Sequence, residues 1–166
     1  AHLHLGDGVA DLLDHARAIG AFDQIALIEE PFPEELEIDI TDIPARIAAD
    51  ESAHTDADAL KRIQMGYTAI ALKPIAKTFS MSLKIAKLAH ERGVPCFCAD
   101  LTVGPLLVEW NKNVAARLAP FPGLGLGLVE TNGHQNYRNW AAMRAHHTSP
   151  AAPWANAWPT PWPTTW

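Results

Sequence analysis

Residues 26–35 read ALIEEPFPEE, and residues 47–52 read IAADES. In each, an aliphatic run ends abruptly in carboxylates: Glu29 and Glu30 in the first, Asp50 and Glu51 in the second. A third run, TAIALK over 68–73, ends in Lys73. Side chains of an extended strand alternate between its two faces. Leu27 and Glu29 therefore share a face, as do Ala48 and Asp50, and Ala71 and Lys73. Three strands with charged groups at their carboxyl ends, in one phase, predict a parallel sheet whose strand ends carry chemistry.

Working outward, two further runs resemble strands, VPCFCAD (94–100) and LGLGLVE (124–130), beside QIALIE (24–29), ARIAAD (45–50) and TAIALK. The starts recur every 21 to 30 residues, and the intervening segments have helical spacing. DADALKRIQMGY places Leu60 and Ile63 on one face behind an Asp-rich start that suits the positive end of a helix dipole. SMSLKIAKLAHERG aligns Met81, Ile85, Leu88 and Ala89, and Gly93 closes it. PLLVEWNKNVAARL and ADLLDHARAIG complete the set. No glycine-rich phosphate loop follows any strand, which argues against a dinucleotide-binding sheet and for a (β/α)8 barrel. A full barrel takes about 250 residues. The expectation is thus an α/β fold of about five parallel strands with outer helices over 1–146, either an unusual half-sheet or a partial TIM-type barrel that is a piece of something larger. Residues 147–166 form a different segment, irregular and rich in Pro and Trp, with tryptophans at 154, 158, 162 and 166.

The net charge is −6, from 13 Lys and Arg against 19 Asp and Glu, and the basic residues are scattered. That balance argues against nucleic acid or an anionic membrane as partner. No apolar run reaches the roughly 18 residues of a membrane span, and no basic segment followed by an apolar one suggests export. The expected compartment is the cytoplasm. Cys96 and Cys98 are one residue apart, too close for an easy disulfide, and read as small core residues.

If the three faces line a barrel interior, two carboxylates and an ammonium converge at its top. Oxygen ligands of this kind suit a hard divalent cation, Mg²⁺ above all. Lys73 beside them has an acid/base use, because burial and a cation both lower an ammonium pKa. Each residue alone has a blander reading: acids after strands cap helices or face water, and a strand-end lysine snorkels. Glu30, Glu34, Glu35 and Glu37 are read that way. Asp100 shares a face with Cys96 and Cys98 and either contacts substrate or caps the helix near Gly104. Glu130 ends the last strand, followed by Asn132 and the loop residue His134. Lys77 either seconds Lys73 or serves a surface or phosphate-binding role.

The succession IEEP, ADES and ALKP resembles the enolase superfamily, in its mandelate racemase and muconate lactonizing enzyme branch, from about Leu12 to Trp140. The resemblance implies that Glu29 and Asp50 are the fourth- and fifth-strand Mg²⁺ ligands and that Lys73 is the sixth-strand general base or acid. Glu130 matches, by position, an eighth-strand acid that donates a hydrogen bond to the substrate carboxylate. The implied chemistry is removal of a proton α to a carboxylate through an enediolate held by the metal, leading to racemisation, epimerisation, elimination or cycloisomerisation. The substrate would be a small acid, a sugar acid or a dipeptide, and the full-length protein a homo-oligomer. The family's third-strand Asp, its second-strand Lys-x-Lys and its amino-terminal capping domain have no counterpart here, and PIAKTFS stands where relatives carry Gly-Gly. These departures mark the chain as the carboxyl-terminal part of a longer enzyme. Two alternatives stand beside that reading: a non-catalytic metal-binding fragment, and an unrelated barrel using Lys73 as a Schiff-base amine.

Overall fold

Four of the aliphatic runs pair into one parallel sheet in the order β1 (Ile28–Glu29), β2 (Ile47–Ala49), β3 (Ala69–Leu72), β4 (Cys96–Cys98). The computed structural model describes residues 5–99 and 101–146. The register sets Glu29 opposite Ala48, Ala49 opposite Ile70, and Leu72 opposite Cys98. Helix α1 (Leu5–Ala18) precedes the sheet, beginning earlier than its apolar spacing suggests. Helices α2 (Asp56–Gln64), α3 (Phe79–His90) and α4 (Pro105–Ala115) follow β2, β3 and β4 in turn. Two short helices, α5 (Gly133–Asn136) and α6 (Trp140–Ala145), end the described part, α6 against α4. This βα alternation on a parallel sheet is part of a (β/α)8-type barrel.

Local chemistry sets the element ends. Thr55 caps α2 in a reciprocal box: its hydroxyl accepts from the Asp58 amide while the Asp58 carboxylate accepts from the Thr55 amide. His54, just ahead of this cap, is exposed and lies 3.4 Å from the Glu34 carboxylate. Gly104 and Pro105 open α4, proline occupying a first-turn position where its missing N–H costs nothing. Gly66, between α2 and β3, has φ +101°, and a Cβ there would lie 2.7 Å from the Thr41 amide nitrogen. Only glycine fits such a position.

Alternation along the strands builds two cores. Ile47, Ala49, Ile70, Leu72 and Cys96 face the helices and pack with Leu13, Phe32, Ile40, Ile85 and Ala89. Ala48, Ala69, Ala71, Phe97 and Ala99 face the other way, covered by Phe121, Leu27 and Leu128. Phe121 meets Phe97 edge to face at 6.2 Å between ring centres, and the Arg46 guanidinium lies 5.2 Å from the Phe121 ring. A single phenylalanine arriving from the loop after α4 thus closes the inner face over the alanines.

The predicted strand 124–130 is the main departure. Residues 122–126 turn instead, with Gly123 and Gly125 at positive φ, and the Phe121 amide bonds the Leu126 carbonyl at 2.8 Å. Only a parallel bridge between Cys98 and Val129 survives, flanked by Cys98 N–H to Leu128 O at 3.1 Å and Glu130 N–H to Cys98 O at 3.0 Å. A Cβ at Gly127 would sit 2.2 Å from the Ala115 carbonyl oxygen, so this segment hugs the end of α4. The alternating Leu-Gly pattern reflects turning and close approach as well as pairing. On α2 the buried side chains are Ala59 and Arg62, with Ile63 at the core margin. Both cysteines are buried free thiols. Among the described residues no helix is long and apolar enough to cross a membrane. Asp100 and the segment 147–166 lie outside the described residues.

Candidate active site

At the carboxyl end of β1 and just past those of β2 and β3, alternation carries Glu29, Asp50 and Lys73 onto the inner face, in phase with Leu27, Ala48 and Ala71. Asp50 and Lys73 are buried, at 5 % and 7 % exposure. Their ion pair is short, Lys73 Nζ to Asp50 Oδ2 at 2.5 Å, and the same ammonium donates to Glu51 Oε1 at 2.9 Å. One carboxylate oxygen on each acid, Glu29 Oε1 and Asp50 Oδ1, is buried without a hydrogen-bond partner. Asp50 Oδ1 has Lys77 Nζ at 3.8 Å, beyond hydrogen-bond range.

The electrostatics follow from this crowding. Burial, then the charges of Glu130 and Asp50, raise the Glu29 pKa from 4.5 to about 7. Burial also pushes Asp50 up against the pull of Lys73. Burial works to lower Lys73, but its hydrogen bonds to Asp50 and Glu51 outweigh that and hold the ammonium above its ordinary value. The two partners thus pull in opposite senses over one shared proton. We place it on Lys73, since two carboxylates favour the ammonium. The sequence expectation of a lowered Lys73 pKa is therefore reversed in this arrangement, because the lysine makes two ion pairs.

Lys77, read from sequence as a second to Lys73 or as a surface or phosphate-binding group, turns its ammonium onto main-chain carbonyls. It is half-buried against the turn after β2, its Nζ donating to the Asp50 carbonyl at 2.8 Å and the Ala53 carbonyl at 3.0 Å. Glu30, read from sequence as solvated, accepts through Oε2 from the Asp50 amide at 2.6 Å, the Ser52 amide at 3.2 Å and the Ser52 hydroxyl at 2.8 Å. Arg62, absent from the sequence reading, donates to the carbonyls of Leu36 at 2.7 Å, Glu34, and Ser52 at 3.5 Å. A signal existed for Glu30, since consecutive strand-end acids must point to opposite sides. None existed for Arg62, whose partners are backbone atoms in an irregular loop.

Glu130 is exposed and lies near enough for its charge to raise Glu29. Among the described residues no group of three or more His, Cys, Asp or Glu side chains forms a metal site. What does converge is a pair of half-satisfied carboxylates and an ion-paired lysine. Hard, buried, under-coordinated oxygens suit a small divalent cation, which would supply the missing partners and offset the mutual repulsion.

A family model for enolase C-terminal domain-like proteins matches residues 6–124, well over half of the chain. Among solved structures, a mandelate racemase/muconate lactonizing enzyme-type protein from Sorangium cellulosum aligns at 25 % identity and a TM-score of 0.63, over 78 % of this chain and 35 % of its own. A mandelate racemase/muconate lactonizing protein from Herpetosiphon aurantiacus aligns at 21 % and 0.60, over 73 % and 34 %. The substrate-liganded L-Ala-D/L-Glu epimerase from Bacillus subtilis aligns at 18 % and 0.58, over 76 % and 35 %. At 18 % and 21 % identity the likeness is one of fold. The chain spans about a third of the length of these structures. No curated protein sequence matches it.

Proposed function

Because this chain belongs to the enolase C-terminal domain-like family, we propose that it carries part of the active site of an isomerase or lyase that removes the proton α to a substrate carboxylate. The observation that supports this most directly is the convergence of Glu29, Asp50 and Lys73 on one face, with an unsatisfied buried oxygen on each acid. Glu29 and Asp50 would hold Mg²⁺ through these oxygens. When bound, the ion supplies positive charge against the negative charge that develops on the substrate carboxylate. Lys73 moves the α-proton at its Nζ. While it donates to both Asp50 and Glu51 it is an ammonium, and so fitted to deliver a proton. Its use as a base requires that Asp50 give up part of its hold on that nitrogen. Glu130, at the end of the last strand segment, is assigned a hydrogen bond to the substrate carboxylate, and Asp100 either a contact with substrate or the cap of the helix near Gly104. A small carboxylate, a sugar acid or a dipeptide fits this set.

Calorimetric titration of Mg²⁺ into the purified chain tests the metal half of the reading. Saturable micromolar binding that weakens in Glu29→Gln supports it; no saturable binding removes it. Deuterium uptake at the α-carbon, by a longer protein containing this segment, tests the proton-transfer half, and Lys73→Ala should remove exchange from at least one face. One observation favours a second, non-catalytic reading: Lys73 is already satisfied by two carboxylates, which is how a purely structural ion cluster looks. A Schiff-base role is served poorly by an ammonium held above its ordinary pKa.

A further inference from the structure

The turn that follows β2 is held by two side chains of opposite charge. Asp50 has its own amide bonded to the Glu30 carboxylate at 2.6 Å and its own carbonyl bonded to the Lys77 ammonium at 2.8 Å. Glu30 also takes the Ser52 amide and hydroxyl, and Lys77 also takes the Ala53 carbonyl. Both peptide groups flanking the Asp50 Cα are thereby fixed by side chains, one from the end of β1 and one from the turn between β3 and α3. Glu30 reaches this position with φ +35°, a left-handed conformation disfavoured for a residue with a Cβ. That bend sends Glu30 back onto the turn while Glu29 stays on the inner face.

We propose that Glu30 and Lys77 are positioning residues, a clamp that closes on the Asp50–Ala53 turn from opposite sides and fixes where the Asp50 carboxylate points. The inference rests on the reading of Asp50 as a functional group, but its geometry is independent of any metal. Charge-assisted hydrogen bonds are the stronger kind, and here they act on the backbone of the residue whose aim matters. Lys77 also keeps its ammonium 3.8 Å from Asp50 Oδ1, so it anchors the main chain and leaves that oxygen without a hydrogen bond.

The test is amide hydrogen exchange by NMR on the full chain without metal, with the core amides of α3 as internal reference. Glu30→Ala should speed exchange at the Asp50 and Ser52 amides by about tenfold or more, leaving α3 unchanged. Glu30→Gln keeps a carbonyl acceptor and should stay within about threefold of the parent. Lys77→Met, which keeps length and burial, should shift the carbonyl carbon resonances of Asp50 and Ala53 with an unaltered far-ultraviolet spectrum. Parental exchange in Glu30→Ala, or unmoved carbonyl resonances in Lys77→Met, would overturn the clamp. Mg²⁺ affinity separates positioning from direct ligation. Loss in Glu30→Ala with recovery in Glu30→Gln supports positioning, whereas equal loss in both makes Glu30 a charged ligand and overturns it. If the parent takes up no Mg²⁺ while the exchange pattern holds, the clamp stands and the metal reading falls alone.

Discussion

Glu29 shares its face with Asp50 and Lys73, and burial with the nearby charges of Glu130 and Asp50 lifts its pKa from 4.5 to about 7. Between those values the folded chain binds more protons at this site than the unfolded chain does. Its contribution to stability is therefore present below pH 4.5 and is lost as pH rises to about 7. The urea midpoint of the parent chain, measured against that of Glu29→Gln, should fall across this window, and saturating Mg²⁺ should flatten the difference. A pH-independent difference would count against the crowded site. The Lys73–Asp50 pair makes a second demand. Removing one partner strands a buried charge, a loss on the order of 3–5 kcal/mol. Lys73→Met should lower metal-free stability by about that much in urea unfolding, and the double variant Lys73→Met with Asp50→Asn should recover part of it. The shared face of Glu29, Asp50 and Lys73 follows from period-two alternation and was open to reading from the chain alone. Alternation also turned Glu30 away from that face, but its partners in the turn after β2, and the roles of Arg62 and Lys77, were not legible, since they depend on where loops place backbone atoms.

At the scale of elements, four strands and the helices after β2, β3 and β4 were legible because aliphatic runs and amphipathic helices leave strong periodic traces. Their ends were not. The strand read over 24–29 is regular only at Ile28–Glu29, after a 3-10 turn at Phe22–Gln24. Pairing, and not apolar content, decides where a strand stops. The 124–130 segment shows the same point, its glycines serving turns and a close approach to Ala115. Helix α2 turns inward only a narrow face, Ala59 and Arg62 with Ile63 at its margin, so its cap is a sizeable part of what holds it. Thr55→Ala should cost about 1 kcal/mol, whereas Ile85→Ala, removing a fully buried side chain of α3, should cost about 2–5 kcal/mol. Thermal melts of the two variants beside the parent would reveal the order, and equal losses would mean that the cap is redundant.

Across the whole molecule, the inner sheet face is covered within the chain itself. Ala48, Ala69, Ala71 and Ala99 are buried at 0–1 % exposure beneath Phe97 and Phe121. The sheet edge at β1 is different. Among the described residues β1 pairs with β2 on one side only, and an unpaired edge invites another strand. Sedimentation velocity on the isolated chain should show concentration-dependent association, and a monodisperse, cooperatively melting monomer at all concentrations would count against an open edge. Arg62 extends the view from shape to folding. One guanidinium joins the carbonyls of Glu34, Leu36 and Ser52 to a helix that begins beyond all three. If α2 unravels, those carbonyls lose their donor together, so the stretch from β1 to α2 should come apart as a single foldon and re-form only after a long-range closure. Native-state hydrogen exchange should then show the amides from β1 to α2 opening together, and Arg62→Lys should lower the protection of that whole stretch at once.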